Sequence, residues 1–146
     1  MFNKETQYAL RSLVYIQLQN IKGRRPGTVE ISNEIEAPQF YTAKILQRLA
    51  RAGFVESIKG KGGGFYFDEA KPELKLETLI TSIEGTRTLS GCGFGLRYCR
   101  DDNPCPLHEK YAPVRKKIFS LVSKETIQSL ARKVHRKEVR LKGIIE

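Results

Sequence analysis

At 146 residues, 40% of them apolar, the chain can bury the core of one domain, or of one small domain plus an accessory element. Its net charge of +10 points to an anionic partner, nucleic acid before membrane, and no apolar run approaches the roughly 20 residues a membrane-spanning helix needs. The opening MFNKETQY lacks the apolar stretch of a signal peptide, so a cytoplasmic protein is expected, and three cysteines in a reducing compartment favour metal or redox chemistry over disulfides.

Apolar periodicity predicts a first helix over 4–21, with Leu10, Leu13, Val14, Leu18 and Ile21 on one stripe. Arg24-Arg25-Pro26-Gly27 reads as a turn, and Thr28 as the N-cap of a short helix carrying Ile31 and Ile35. Pro38 can open a third helix, where its missing N–H would be unpaired anyway; that helix runs over 39–52 and Gly53 stops it. Phe40, Ala43, Ile45, Leu46 and Leu49 form its apolar side, and Gln39, Tyr41, Lys44, Gln47, Arg48 and Arg51 its other face. Two helices joined tightly, the second showing Gln, Tyr, Lys and Arg outward, fit a helix-turn-helix. An ordinary helical hairpin with a polar face is the alternative.

The next segment favours the first reading. Residues 54–58 alternate like a strand, 59–64 (KGKGGG) form a turn, and 65–67 a second strand. A hairpin following directly on a recognition helix makes a winged helix. Lys59 and Lys61 would neutralise phosphates or probe the minor groove, while glycines such as Gly62 and Gly63 would let backbone N–H groups approach phosphates. The turn is not a nucleotide-binding loop, because it lacks the G-x-x-x-x-G-K-[ST] spacing and leads into a strand.

After a polar linker at 68–75, Leu76, Leu79, Ile80 and Ile83 predict a short amphipathic helix. Then comes GCGFGLRYCRDDNPCPLH, which holds all three cysteines and one of the two histidines. Its Gly, Asp, Asn and Pro preclude regular structure, so a bound metal or cluster is the natural source of order. Three occupants remain open: an iron–sulfur cluster, zinc, or none, with free thiols as redox sensors. Zinc is disfavoured because its structural sites usually include a C-x₂₋₄-C knuckle. Arg97 and Arg100 beside Cys99 would lower a thiol pKa.

Leu107, Tyr111, Val114, Ile118, Leu121 and Val122 predict a longer helix over 107–122, with Pro113 marking a kink or a late start. Ser123 reads as the N-cap of a final piece containing Ile127, Leu130 and Val134. An apolar helix after a complete small domain needs a surface to cover it: a second copy of the chain, or its own winged domain. Residues 113–146 carry ten basic and three acidic side chains, a solvated tail or a further anionic contact.

The expected fold is mainly α with a small β-hairpin wing: a winged helix-turn-helix domain plus a long dimerisation helix. Its parts are the winged domain at 1–67, a linker and short helix at 68–85, a cysteine loop at 86–108, a dimerisation helix region at 107–135 and a basic tail at 136–146.

KETQYALRSLVYI, YTAKILQRLARAGFVESIKGKGGGFYF, LETLITSIEG and the three spaced cysteines together resemble the IscR-type family of bacterial transcription regulators, also called the BadM or Rrf2 group. The similarity covers about residues 1–131. It implies a winged-helix homodimer on a palindromic double-stranded DNA operator, with an iron–sulfur cluster sensing iron, redox or nitric oxide status. It also implies the ligands: Cys92, Cys99 and Cys105 match the family cysteines, and His108 sits where the cluster-assembly branch places a histidine. The first cysteine gap is six residues here, where five is common. A nitric-oxide-sensing branch completes [4Fe–4S] with an Asp near the start of the first helix; Gln7 stands about there, with Glu5 the nearest carboxylate. That favours [2Fe–2S] and leaves [4Fe–4S] possible.

Expected DNA contacts are Gln39, Tyr41, Lys44 and Arg48 from the third helix, Lys59, Lys61, Gly62 and Gly63 from the wing, and Thr28 on phosphate. A redox or electron-transfer protein is the rival class. The chain lacks CxxC, a second cofactor motif and any nucleophile–base arrangement, so no enzyme activity is expected.

Overall fold

The computed structural model describes residues 2–141, so the basic tail is described only as far as Leu141. In chain order the elements are α1 (Lys4–Ile21), α2 (Thr28–Glu34), α3 (Gln39–Arg51), β1 (Glu56–Ile58) and β2 (Gly64–Tyr66). They are followed by α4 (Leu76–Glu84), α5 (Arg87–Ser90), α6 (His108–Lys124) and α7 (Ile127–His135). The chain forms two compact units. The segment up to Leu74 and the segment from Thr126 make one; Lys75–Glu125 make the other.

In the first unit α1 is the central helix. Asn3 caps it by accepting the Thr6 N–H (2.8 Å). Helices α2, α3 and α7 all pack against α1, so its buried surface is broader than a single stripe. Ala9, Leu13 and Ile16 are fully buried, whereas Ile21, expected in the core, lies at the surface. An Arg24–Glu30–Tyr15 network fastens α1 to α2: Arg24 grips the Glu30 carboxylate with two N–H groups (3.0 and 2.8 Å), and the Tyr15 hydroxyl donates to it (2.6 Å). Burial, then the hydrogen bond to Glu30, pushes the Tyr15 phenol up to about 12.

Helix α2 starts at Thr28 itself, with Gly27 as the N-cap, so Thr28 is the first helical residue rather than the cap. In α3 the buried side chains are Thr42, Ile45, Leu46 and Leu49. Phe40 is 73% exposed, against the expectation that it joins the core. The reason is angular. Stepping back from Leu49 and Leu46 at helical spacing reaches Thr42, whose hydroxyl donates to the Pro38 carbonyl (2.9 Å). Phe40 is two residues away, on another side.

The wing strands are antiparallel, with Glu56 opposite Tyr66 and Ile58 opposite Gly64. β1 is shorter than the pattern predicts, whereas β2 has the expected length and starts one residue earlier, at Gly64. The hairpin is moored to the α1–α2 turn: the Phe65 N–H donates to the Pro26 carbonyl (2.9 Å), and the Asn20 carboxamide bonds the Arg24 and Phe65 carbonyls and the Phe67 N–H. The Arg25 guanidinium lies 4.6 Å over the Tyr66 ring.

Helix α7 is a separate final piece, as the sequence predicts, with a different cap. The chain breaks before Thr126, which accepts the Ser129 N–H while the Ser129 hydroxyl accepts the Thr126 N–H, a reciprocal cap. Ser123, expected as that cap, lies inside α6. Ile127 and Ala131 are fully buried, and α7 packs on α1 in the winged unit. Glu73 holds α7 from below through Arg132 (2.8 and 3.1 Å) and the Thr126 hydroxyl (2.8 Å).

In the second unit, α4 and α5 pack on α6 and on each other. Pro113 lies inside α6, which begins at His108, so it does not mark a late start. Of the stripe expected on α6 only Val122 is buried; Leu107, Val114 and Leu121 are exposed.

Candidate DNA interface and cysteine centre

The predicted DNA-contacting residues all fall on the winged unit. Gln39, Tyr41, Lys44 and Arg48 are exposed on α3. Three of them are engaged within the chain. Tyr41 meets the Tyr8 ring edge-on (centroids 5.5 Å apart), the Lys44 ammonium sits 4.5 Å over the Phe40 ring, and Arg48 is ion-paired with Glu5 in the first turn of α1. Arg48 therefore serves the α1–α3 contact as well as any contact beyond the chain.

An open groove of about 760 Å³ runs between α2, α3 and the wing, lined by Thr28, Gln47, Arg51 and Lys59 among others. Gln47 and Arg51 belong to the polar face recognised from the sequence but not to the residues singled out there. Their spacing from Lys44 is the signal that finds them, since positions three and seven further on share its face.

At the wing tip Lys59 and Lys61 are exposed. Gly62 is in the left-handed region (φ 79°), with open space around it. Gly63 differs. Its N–H donates to the Gly60 carbonyl (3.0 Å), and a Cβ there would lie 2.0 Å from the Ile58 carbonyl oxygen. Glycine at 63 is thus required for closing the hairpin, and its amide is spent within it.

The cysteine centre lies in the second unit. Gly93 packs its bare Cα against the Tyr111 ring of α6, where a Cβ would come within 2.9 Å of ring carbons. Arg115 donates to the Gly91 carbonyl (2.9 Å), so both contacts pin the start of the loop to α6. Further on, Arg100 and Asn103 exchange backbone hydrogen bonds (3.2 and 2.9 Å) to close a turn that carries Asp101 and Asp102 at its tip. The His108 N–H donates to the Cys105 carbonyl (3.0 Å), holding the start of α6 beside the last cysteine.

The Sγ atoms of Cys92, Cys99 and Cys105 lie within 4.8 Å of one another, and all three residues are half-buried. Cys92 and Cys105 Sγ are 3.5 Å apart. His108 Nδ1 is 3.3 Å from Cys99 Sγ, and its Nε2 is 2.8 Å from Asp101 Oδ1. Sequence reasoning missed Asp101, whose only local signal is its place in a D-D-N turn. Burial raises the Cys92 pKa, but the N–H groups of Leu96 and Phe94 and the neighbouring thiols outweigh it and hold it at about 7. At Cys99 the Cys105 N–H lowers the pKa, yet burial and the other two thiols prevail and the net shift is upward. The lowering expected from Arg97 and Arg100 is not realised at Cys99, and Arg100 is paired with Asp102 (2.7 Å).

Three converging thiols with an imidazole beside one of them form a soft donor set, suited to an iron–sulfur cluster or to zinc. The two residues weighed as a ligand from the first helix both have partners within the chain: Glu5 holds Arg48, and the Gln7 side chain donates to the Phe2 carbonyl (3.1 Å).

Fold and loop together define a winged-helix DNA-binding regulator with a thiol-rich centre. A family model described as an iron-dependent transcriptional regulator, Rrf2, matches residues 2–133. The chain belongs to the Rrf2 family, whose members are transcription regulators and not enzymes. It is 30% identical over 104 residues to the HTH-type transcriptional repressor NsrR of Streptomyces coelicolor, covering 71% of this chain and 66% of that one. Among solved structures, CymR, the global cysteine regulator of B. subtilis, superposes with a TM-score of 0.71 at 17% identity, covering 90% and 96% of the two chains. The T. potens IscR structure gives 0.69 at 16% identity, covering 98% and 93%. No helix among the described residues is long and apolar enough to cross a membrane.

Proposed function

We propose that this chain is a cytoplasmic, homodimeric, sequence-specific regulator whose grip on a palindromic DNA operator is set by an iron–sulfur centre on Cys92, Cys99, Cys105 and His108. The observation that carries this is the convergence of three Sγ atoms within 4.8 Å with His108 Nδ1 3.3 Å from Cys99. The iron-dependent family description supports iron over zinc. The internal partners of Glu5 and Gln7 favour the histidine-completed [2Fe–2S] form over one needing a ligand from α1. When bound, such a cluster supplies a labile, redox-active centre whose presence follows iron, redox or nitric oxide status.

The chain's own residues do the rest. Drawing Cys92, Cys105 and His108 together fixes the loop against the start of α6. Leu107, Val114 and Leu121, exposed and seven residues apart, form a seam for the same helix of a second copy. The order of the loop then sets the register of that seam and the spacing of the two α3 helices. Sedimentation at micromolar concentration checks the seam: a dimer for the wild type, a monomer for Val114→Asp.

On DNA, Gln39, Tyr41 and Lys44 face base edges and phosphates, and the exposed Phe40 ring offers an apolar surface suited to a thymine methyl. Thr28, Gln47, Arg51 and, from the wing, Lys59 line the groove where a phosphate strand would run, and Lys61 and Gly62 at the exposed wing tip reach the phosphates beyond it. Replacing Lys59 and Lys61 together by Ala is expected to weaken binding to all sequences alike and to flatten the salt dependence by about 0.9 log unit per lost phosphate contact. An unchanged slope removes the wing from the interface. The main test is anaerobic DNA-site selection on cluster-loaded and stripped protein in parallel; identical affinity and site preference would defeat the proposal.

A second reading rests on the Cys92–Cys105 pair, 3.5 Å apart with Cys92 at about 7. Without metal, a peroxide could oxidise the pair to a disulfide, two thiols and one peroxide giving one S–S bond and two waters. DNA binding that ignores iron but changes with peroxide would favour this form.

A further inference from the structure

The Arg100–Asn103 turn does more than space the cysteines. Its backbone is closed by two hydrogen bonds, Asn103 is tied to the Tyr98 carbonyl (3.1 Å), and Asp102 is occupied by Arg100 (2.7 Å). The neighbouring Asp101 has a different partner. Its carboxylate is otherwise open to solvent, and its hydrogen-bond partner among the described residues is His108 Nε2, at 2.8 Å. The His108 side chain is only 12% exposed, whereas the Asp101 carboxylate that meets it is 97% exposed. The ring's other nitrogen, Nδ1, faces Cys99 Sγ at 3.3 Å.

We infer that Asp101 is a positioning residue for His108: by accepting the Nε2–H it holds the imidazole so that the Nδ1 lone pair faces Cys99 Sγ, one of the three converging thiols. A neutral imidazole offers a metal one nitrogen only if the other carries the proton, and an acceptor on that N–H fixes both tautomer and ring orientation. Without Asp101 the ring can swing about its own axis and turn Nδ1 away from Cys99. The carboxylate belongs to the outer shell of the centre, and the turn holds it there. This rests on His108 being a ligand, as proposed above, but not on the centre being an iron–sulfur cluster.

Cobalt(II) titration of the stripped, reduced protein tests it, because thiolate-to-cobalt absorption bands report binding without a cluster being assembled. Asp101→Ala is expected to weaken cobalt binding by about 10- to 100-fold, with an unchanged thermal melt. Asp101→Asn should recover part of the loss, since its carboxamide oxygen can accept the same N–H. In His108→Ala, adding Asp101→Ala should cost nothing more, because the residue it positions is gone. Full affinity in Asp101→Ala, or a loss that adds to that of His108→Ala, would overturn the inference. If wild-type protein binds cobalt in this Asp101-dependent way yet assembles no iron–sulfur centre anaerobically, the cluster proposal fails and the role of Asp101 stands.

Discussion

Cys99→Ala is expected to leave anaerobically purified protein colourless and free of stoichiometric iron and sulfide, with its fold intact. Cys99 is the hub of the loop: its sulfur takes the Cys105 N–H (3.4 Å), faces His108 Nδ1 (3.3 Å) and lies within 4.8 Å of the other two sulfurs. Removing it leaves two thiolates and one imidazole, and clusters of this kind are held mainly by thiolates. The structural cost is modest because the residue is half-buried in a loop outside the core, and a typical point substitution costs about 1 kcal/mol. Metal analysis and a thermal melt check the two halves together. DNA binding by the variant should match that of the stripped wild type. A variant that unfolds would make the centre structural rather than regulatory.

The second large effect is expected in the wing. Gly64 has φ 137°, and a Cβ there would lie 2.2 Å from the Arg25 carbonyl oxygen and 2.8 Å from that of Pro26. Both obstacles are backbone, and the adjacent Phe65 N–H is bonded to the same Pro26 carbonyl, so neither side can yield without unmooring the hairpin. Gly64→Ala should therefore cost roughly 3 kcal/mol or more, the sum of backbone strain and overpacking, or abolish the docked wing. Gly62→Ala is the control. Its φ of 79° carries strain of about 1–2 kcal/mol, but nothing lies within 4 Å of the added methyl. Denaturant titration of the two variants should separate them clearly. Equal, mild losses would show that the wing is not held through this strand.

The two glycines illustrate why motif reading stops where it does. KGKGGG announces a turn and a basic wing, because glycine runs and lysines have few other uses in a short hairpin. Which glycine is pressed against a distant backbone depends on where the α1–α2 turn lies, and that contact is 38 or more residues away in sequence. The same limit applies to Phe40. Its apolar character suggested core, and only the rotation of α3 on α1, set by Thr42, Ile45 and Leu49, places it outside.

By itself the sequence determined the number and kind of most elements, the winged architecture, the basic character and the cysteines and histidine that would converge. These follow from short-range periodicity, turn chemistry and residue type, which act within a few positions along the chain. The tertiary structure alone decided three things. It assigned α7 to the winged unit through Ile127 and Ala131, leaving α6 as the exposed helix. It committed Arg48 to Glu5. It set Asp101 on the far nitrogen of His108. Each of these is a choice among partners that are equally available by residue type, and the folded arrangement beyond neighbouring positions selects one.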